Sequence, residues 1–359
     1  MADTYYEKKQ DEQRRKITDK MELLPVYAQG FIKGKAQSLE PSTRLVYMDD
    51  LQIFFSWLLK ASKWTEFTQK TLPIEAVAYL TPEDIEEFLD YLSVYKTESG
   101  EIRRNSAKAK LRKLATLRAF YNFLIKRRYE YVTQDGVETR FMLNPAALAD
   151  KPKAHKKEII TLSKSSQNSI LNTVIEGTNL SGKMAQIHGK YQYRDTAILY
   201  ILLGTGIRVS ELVGLNIDDV NISIKSLTVT RKGGNTDYVY FNDEVAGALL
   251  DYLTLERDTY KPNEESEKAL FLSRQHSRIN VRSVENLVKK YANAALGAGN
   301  KISPHKMRST FATNAVNEFG DIWAVSQAMG HSSINTTSRY YTKGSDEAKK
   351  KVSNIKIEK

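Results

Sequence analysis

The sequence predicts two domains, a helical N-terminal domain and a second, mainly helical domain that carries a small antiparallel sheet. A chain of 359 residues exceeds the usual size of a single domain. Apolar residues recur every three or four positions in several segments, as in amphipathic helices. Two short β-rich runs, Leu227 to Arg231 and Tyr238 to Phe241, flank the turn residues Lys232 to Asn235. The segment 144–157 is rich in proline and lysine, which is typical of a linker.

The N-terminal half is expected to be all-α. Its first 35 residues read as a charged arm followed by a short amphipathic piece, Leu23 to Ile32. A helix is predicted from Pro41, because apolar side chains follow it at helical spacing. Another begins after Thr81, where a hydroxyl cap precedes Pro82 and two acids. The chain is polar between Thr97 and Ser106, and no strand is predicted in this half.

The segment from Ser106 to Arg128 predicts a helix with one apolar face and many cations. The apolar face contains Leu111, Leu114, Leu117, Tyr121 and Leu124. The cations are Lys108, Lys110, Arg112, Lys113, Arg118, Lys126, Arg127 and Arg128, with no acid among them. A solvated helix face is the alternative, but such faces usually mix signs. We therefore expect a polyanion to neutralise this face, and we predict DNA contacts by Lys108, Lys110, Arg112, Lys113 and Arg118.

The composition also favours a nucleic-acid partner. The formal net charge is +11, which favours a polyanion. No apolar run reaches the length of about 18 residues that a membrane span requires, so no membrane association is expected. The charged N-terminus does not resemble a secretory signal, and the absence of cysteine excludes disulfides and thiolate zinc sites. No Walker-type phosphate loop is present, so nothing suggests ATP hydrolysis, and no cofactor is expected. A cytoplasmic location is expected, with which the absence of cysteine is compatible.

The second domain contains the residues that suggest chemistry. An apolar helix, Arg194 to Gly204, is interrupted by glycines, and Arg208 then precedes a new helix whose unpaired amides favour an anion. Pro304 is a favourable first residue for a helix that places His305 and Arg308 on one face. His331 follows in a loop-like segment, and Tyr340 comes nine residues later. Each residue alone is commonplace, whereas their order and spacing together indicate a phosphodiester site.

These motifs resemble those of the tyrosine recombinase, or phage integrase, family. The matching motifs are Gly204-Thr205-Gly206-Ile207-Arg208-Val209-Ser210-Glu211-Leu212, then His-x-x-Arg, then Gly-His followed by tyrosine nine residues on. The resemblance extends along most of the chain. The segments Val229 to Gly234, Ala269 to Ser273 and Ser303 to Arg308 look most like the XerS branch of chromosome-dimer-resolving recombinases.

The resemblance implies a domain organisation. Residues 1–150 would form a SAM-like core-binding bundle that clamps DNA, and residues 151–160 a basic linker. Residues 161–345 would form the catalytic domain, mainly α with a small antiparallel sheet. The tail 346–359 would be a segment that docks on a neighbouring subunit, with a loose end as the alternative.

The resemblance also implies a metal-free and ATP-independent reaction. Tyr340 would attack phosphorus and form a 3′-phosphotyrosine link, while Arg208 and Arg308 stabilise the charged oxygens. Lys232, on the hairpin turn, would protonate the leaving oxygen. His305 would act as a base or hydrogen-bond partner, and His331 would hold the phosphate. Glu211 is expected to brace the arginine region and to take no part in the chemistry.

The implied partners are double-stranded DNA with an inverted-repeat site and three further copies of the chain, in a homo-tetramer on paired sites. Strand exchange would proceed through a Holliday junction, and an unidentified cell-division protein is a possible accessory. An integrase or transposase of a mobile element, a type IB topoisomerase and a non-catalytic DNA-binding regulator remain alternatives. Two features depart from the family pattern or leave it ambiguous: Ser309 replaces a common second histidine, and Tyr341 adjoins the predicted nucleophile.

Overall fold

The computed structural model describes residues 4–61, 64–97, 99–154 and 160–330. The chain divides into two compact units, Met1–Lys156 and Lys157–Lys359. Among the residues described, no helix has both the length and the apolar character needed to cross a membrane.

The first unit is a bundle of helices with two short hairpins. Its helices are Tyr5–Met21 (α1), Val26–Gly34 (α2), Pro41–Ala61 (α3), Glu75–Ala78 (α4), Pro82–Tyr91 (α5), Ala107–Lys126 (α6) and Pro145–Leu148 (α7). Its strands are Tyr95–Lys96 (β1), Ile102–Arg103 (β2), Glu130–Val132 (β3) and Glu138–Arg140 (β4), paired β1 with β2 and β3 with β4 in antiparallel register.

The long helices of this unit begin where the sequence predicted. Helix α5 follows a capping box between Thr81 and Asp84, and α6 follows Ser106, whose side chain accepts the amide of Ala109. Aromatic rings fill the core between α2, α3, α5 and α6. Phe54 packs edge-on against Phe88 with ring centroids 5.1 Å apart, and both are fully buried.

Two expectations for this unit were wrong. The charged N-terminal arm is in fact helix α1, because Thr4 and Glu7 form a capping box and Ile17 is buried in the core. The unit is also not purely α. Its hairpins were missed because their strands are only two or three residues long, too short for the alternation over about four to eight residues that marks a strand in a sequence.

The second unit is mainly helical around a three-stranded antiparallel sheet. Its helices are Lys164–Glu176 (α8), Gly182–Thr205 (α9), Val209–Gly214 (α10), Asp243–Asp251 (α11), Val281–Leu296 (α12), Pro304–Phe319 (α13) and Ile322–Ala328 (α14). Its strands are Val220–Asn221 (β5), Ser226–Thr230 (β6) and Thr236–Tyr240 (β7), in the spatial order β5-β6-β7. The predicted β6–β7 hairpin is present, with Thr230 opposite Thr236.

A buried ion network links α9 to α12. Asp195, 2% exposed, accepts two bonds from the Arg194 guanidinium at 3.0 and 2.7 Å and one from the Tyr291 hydroxyl at 2.8 Å. Lys290 completes the network at 3.3 Å from the same carboxylate. His188 lies beside Tyr291, and burial lowers the pKa of this imidazole. The network fixes the long helix that leads to Arg208.

Candidate active site

Arg208 lies between α9 and α10, where the chain makes a sharp turn. Gly206 adopts a left-handed conformation there, with φ of 62°, and a Cβ at this position would lie 2.4 Å from the ring of Phe311. Only glycine fits both constraints. The turn ends α9 and places Arg208 directly before α10, with its side chain 34% exposed.

Glu211 braces Arg208, as the sequence predicted. The buried carboxylate accepts the Arg208 guanidinium at 2.7 Å through Oε1 and the Arg208 backbone amide at 2.8 Å through Oε2. Arg231 donates to the same Oε2 at 3.0 Å. One carboxylate therefore orients two guanidinium groups. The hydrogen bonds are charge-assisted, and they leave both side chains little freedom to rotate.

Arg308 comes from α13 and converges on the same region. Its guanidinium donates to the carbonyl of Gly206 and, at 2.7 Å, to the carbonyl of Met329. Arg208 donates to the next carbonyl, Gly330, at 3.2 Å. Two arginines that are 100 positions apart in the sequence thus donate to the carbonyls of adjacent residues.

Lys232 lies on the turn between β6 and β7 and is exposed. The turn is closed by hydrogen bonds from the Arg231 amide to the Asn235 carbonyl, at 2.8 Å, and from the Gly234 amide to the Arg231 carbonyl, at 3.0 Å. Gly233 and Gly234 take positive φ values of 99° and 86°. The two glycines allow a tight turn that presents the lysine outward.

His305 is exposed in the first turn of α13, one helical turn before Arg308. The carbonyl of His305 accepts the hydroxyl of Ser309 at 3.0 Å, so the serine that replaces a common histidine bonds to its own helix. His331 and Tyr340 lie outside the described residues. The described chain ends at Gly330, the residue before His331, in contact with Arg208.

Sequence reasoning did not assign a role to Arg231. Its side chain is 9% exposed and contacts Glu211, Asp237 and the carbonyl of Ala328. The residue lies next to the predicted acid Lys232 in a segment already noted for its resemblance. Its position directly before Lys232 was the signal available in the sequence, because Glu211 and Ala328, 20 and 97 positions away, become its partners only in the fold.

The predicted DNA-binding residues of α6 differ in exposure. Lys108 and Arg112 are exposed, whereas Lys110 and Arg118 are half-buried and donate to Ser93 Oγ at 2.6 Å and to a backbone carbonyl at 2.7 Å. Lys113 is 4% exposed and donates to Asn105 at 3.2 Å. Burial lowers the pKa of this ammonium group, and in this structure its side chain is not accessible to a phosphate.

An acidic partner for Arg112 and Lys113 lies on α3. Asp50, 1% exposed, accepts Arg112 at 2.6 Å and Thr116 at 2.8 Å, and its other oxygen lies 3.7 Å from the Lys113 ammonium. Burial raises the pKa of this carboxyl, an effect that the neighbouring cations and hydroxyl oppose. The expectation of a single-sign face was therefore incomplete, because the acid comes from another helix.

Comparison with known proteins gives the class of this chain. The sequence profile of the phage integrase family matches residues 174–347. The tyrosine recombinase XerC of Caldanaerobacter subterraneus subsp. tengcongensis is 32% identical over 326 residues, which are 89% of this chain and 82% of that protein. The chain therefore belongs to the phage integrase family and is a tyrosine recombinase, an enzyme that breaks and rejoins DNA at specific sites.

Within the family, the chain is XerS-like. The tyrosine recombinase XerS of Streptococcus mutans serotype c is 28% identical over 355 residues, 93% of this chain and 96% of that protein. Among solved structures, the XerH site-specific recombinase bound to a palindromic difH substrate shares the fold with a TM-score of 0.65 at 18% identity, over 89% of this chain and 82% of that chain. The Tn1549 transposon integrase shares it with a TM-score of 0.60 at 21% identity, over 88% and 93%. The family predicted from the motifs is confirmed.

Proposed function

We propose that this enzyme cleaves DNA through Tyr340 and resolves chromosome dimers. The observation that carries the proposal is the convergence of Arg208 and Arg308 on the carbonyls of Gly330 and Met329. Those carbonyls immediately precede His331, which begins the segment that contains Tyr340. Paired guanidinium groups next to a nucleophile-bearing segment suit a phosphodiester, whose charge increases on its non-bridging oxygens during attack.

The proposed reaction conserves the energy of the phosphodiester. The phenolic oxygen of Tyr340 forms a bond to phosphorus as the bond from phosphorus to the 5′ oxygen breaks. His305 accepts the phenolic proton, or a hydrogen bond from it, and His331 holds the phosphate. Lys232 gives a proton to the departing 5′ oxygen. A 5′ hydroxyl of another strand then reverses the step, so strands are exchanged without ATP.

We infer that four copies act on two inverted-repeat sites and pass through a Holliday junction. The match to XerS proteins over 96% of the length of the Streptococcus mutans protein supports a chromosomal role in the cytoplasm. The shared fold with a transposon integrase makes movement of a mobile element the second candidate. Integration at chromosomal sites unrelated to the inverted repeat would favour that second candidate.

Covalent capture on a nicked suicide duplex tests the chemistry. The duplex carries the inverted repeat that the intact chain selects from its own chromosomal DNA. Tyr340→Phe is expected to bind this duplex with unchanged affinity and to form no covalent adduct, because phenylalanine lacks the attacking oxygen. Tyr341→Phe, the matched control, is expected to keep the adduct.

Three results would contradict the proposal. Loss of the adduct in Tyr341→Phe alone would move the nucleophile by one residue. Wild-type protein that binds the site and gives no adduct would indicate a regulator. Relaxation of plain supercoiled plasmid without strand exchange between paired sites would indicate a topoisomerase.

A further inference from the structure

Arg231 occupies a position from which it can control the predicted acid. Its backbone closes the turn that carries Lys232, and its side chain leaves that turn for the interior of the unit. There the guanidinium meets Asp237 on β7 at 2.9 Å and Glu211 on α10 at 3.0 Å. Asp237 lies within the same hairpin, whereas Glu211 also holds Arg208. The hairpin and the arginine site, formed by Arg208 and Arg308, are therefore connected through one buried carboxylate, that of Glu211.

The end of α14 provides a second connection. Three successive carbonyls follow from the last turn of this helix, where backbone acceptors lack intrahelical donors and the helix dipole favours cations. Each carbonyl accepts a different arginine, and those arginines come from three different elements. The pairs are Arg231 with Ala328 at 3.2 Å, Arg308 with Met329 at 2.7 Å and Arg208 with Gly330 at 3.2 Å.

The fit around Arg231 is close. A Cβ on Gly330 would lie 2.7 Å from Arg231 Nε, and Gly330 has a φ of 59°, so glycine is required on both grounds. A planar guanidinium can meet acceptors in several in-plane directions at once, which an ammonium group cannot do with the same geometry. The buried Arg231 thus sets the distance between the hairpin, α10 and the end of α14.

We propose that Arg231 is a positioning residue for Lys232, an inference that rests on the proposed function. By fixing the base of the hairpin to Glu211 and Ala328, Arg231 holds the Lys232 turn in register with Arg208 and Arg308. When phosphorus bonds to the tyrosine oxygen, the electron pair of the breaking bond moves to the 5′ oxygen, which takes its proton from Lys232 Nζ. Without Arg231 the arginines still neutralise the phosphate, but the leaving oxygen departs without a positioned acid.

Replacing the leaving oxygen by sulfur tests this proposal. A thiolate is a much weaker base than an alkoxide and leaves without a proton. Single-turnover cleavage is measured on two suicide duplexes that differ only in the bridging 5′ atom, oxygen or sulfur. Arg231→Ala is expected to be slower by about 100-fold on the oxygen duplex, the low end of what a general acid contributes. On the sulfur duplex it is expected to cleave within about threefold of the wild-type rate, since the acid's contribution of about 100-fold no longer applies.

The comparison variants make the result specific. Lys232→Ala should show the same recovery on sulfur, and Arg231→Lys should lie between wild type and Arg231→Ala. Lys225→Ala removes a cation from the opposite turn of the same sheet, where it pairs with Asp243. This control is expected to match wild type on both duplexes.

Several outcomes would overturn the proposal. Equal defects of Arg231→Ala on both duplexes, with a wild-type melting curve, would mean that Arg231 serves the arginine site or the fold. Wild-type cleavage of the oxygen duplex by Arg231→Ala would remove any role. If Arg231→Ala does not fold, Asp237→Asn is measured instead. Slower cleavage of the oxygen duplex, by less than about 100-fold, with a wild-type rate on the sulfur duplex, would support positioning; any other result would contradict it. Absence of an adduct from wild type would instead refute the proposed function.

Discussion

At the scale of single residues, Asp50 shows how a buried charge depends on its neighbours. The carboxylate is 1% exposed, its Oδ2 accepts both Arg112 and the hydroxyl of Thr116, and its Oδ1 lies 3.7 Å from the Lys113 ammonium. Within the described part of the chain, its Oδ1 has no hydrogen-bond donor. Such a group is expensive to bury, and it is tolerated because Arg112 and Lys113 stay close. Lys113 is thereby withdrawn from solvent, whereas Arg112 stays exposed.

Asp50→Ala is expected to destabilise the first unit by about 3 kcal/mol, because it leaves the Lys113 ammonium buried without its carboxylate. The free energy of unfolding is measured by chemical denaturation followed by circular dichroism. Asp49→Ala is the matched control, since Asp49 is exposed and its ion pair with Lys20 lies at the surface. Equal effects of the two substitutions would show that the Asp50 pair adds no stability.

At the scale of elements, the ends of helices decide where the site residues lie. Gly206 caps the C-terminus of α9 and Gly320 caps that of α13, and both glycines are left-handed, with φ of 62° and 70°. They differ in their surroundings. A Cβ on Gly206 would meet Phe311 at 2.4 Å, whereas nothing lies within 4 Å of one on Gly320. Gly206 also supplies a carbonyl to Arg308, so its position matters for the site.

Gly320→Ala is expected to cost about 1 kcal/mol of stability, the penalty of a left-handed alanine. Gly206→Ala is expected to cost roughly 2 kcal/mol more, because the added methyl overlaps a packed ring. Thermal and denaturant unfolding of the two variants measures the difference, and covalent capture measures the site. Capture should fall in Gly206→Ala and persist in Gly320→Ala. Identical stabilities would show that Phe311 moves aside without cost.

At the scale of the whole molecule, the net charge of +11 predicts strong dependence of DNA binding on salt. Each phosphate that the protein neutralises contributes about 0.9 to the slope of log affinity against log salt. Lys108 is the exposed lysine near the start of α6, so Lys108→Ala is expected to reduce the slope by about that amount. Fluorescence anisotropy measures the slope between about 50 and 200 mM salt, a range over which the affinity of such proteins for DNA falls steeply.

Lys16→Ala provides the control for that measurement. Lys16 is exposed on α1 and pairs with Glu12 on the same helix. Its removal is expected to leave the slope unchanged. A slope that is insensitive to Lys108 and sensitive to Lys16 would place the DNA on a different face of the first unit.

The sequence by itself determined the family, the long helices and the catalytic set that we propose. Those features are local: a capping box at Thr81, apolar spacing in α6, and short motifs whose order along the chain is their signature. The hairpin that carries Lys232 was also readable, because its turn glycines and strand residues are adjacent in sequence. Interactions within a few residues leave a pattern that can be read directly.

Only the tertiary structure decided which charges pair with which. Lys113 looked like a surface cation until α3 brought Asp50 against it, 63 positions away in the sequence. Arg231 gained its role from Ala328, 97 positions away. The physical reason is that a charged side chain's exposure and orientation depend on acceptors that folding brings close. Spacing along one helix or one strand carries no record of an acceptor on another.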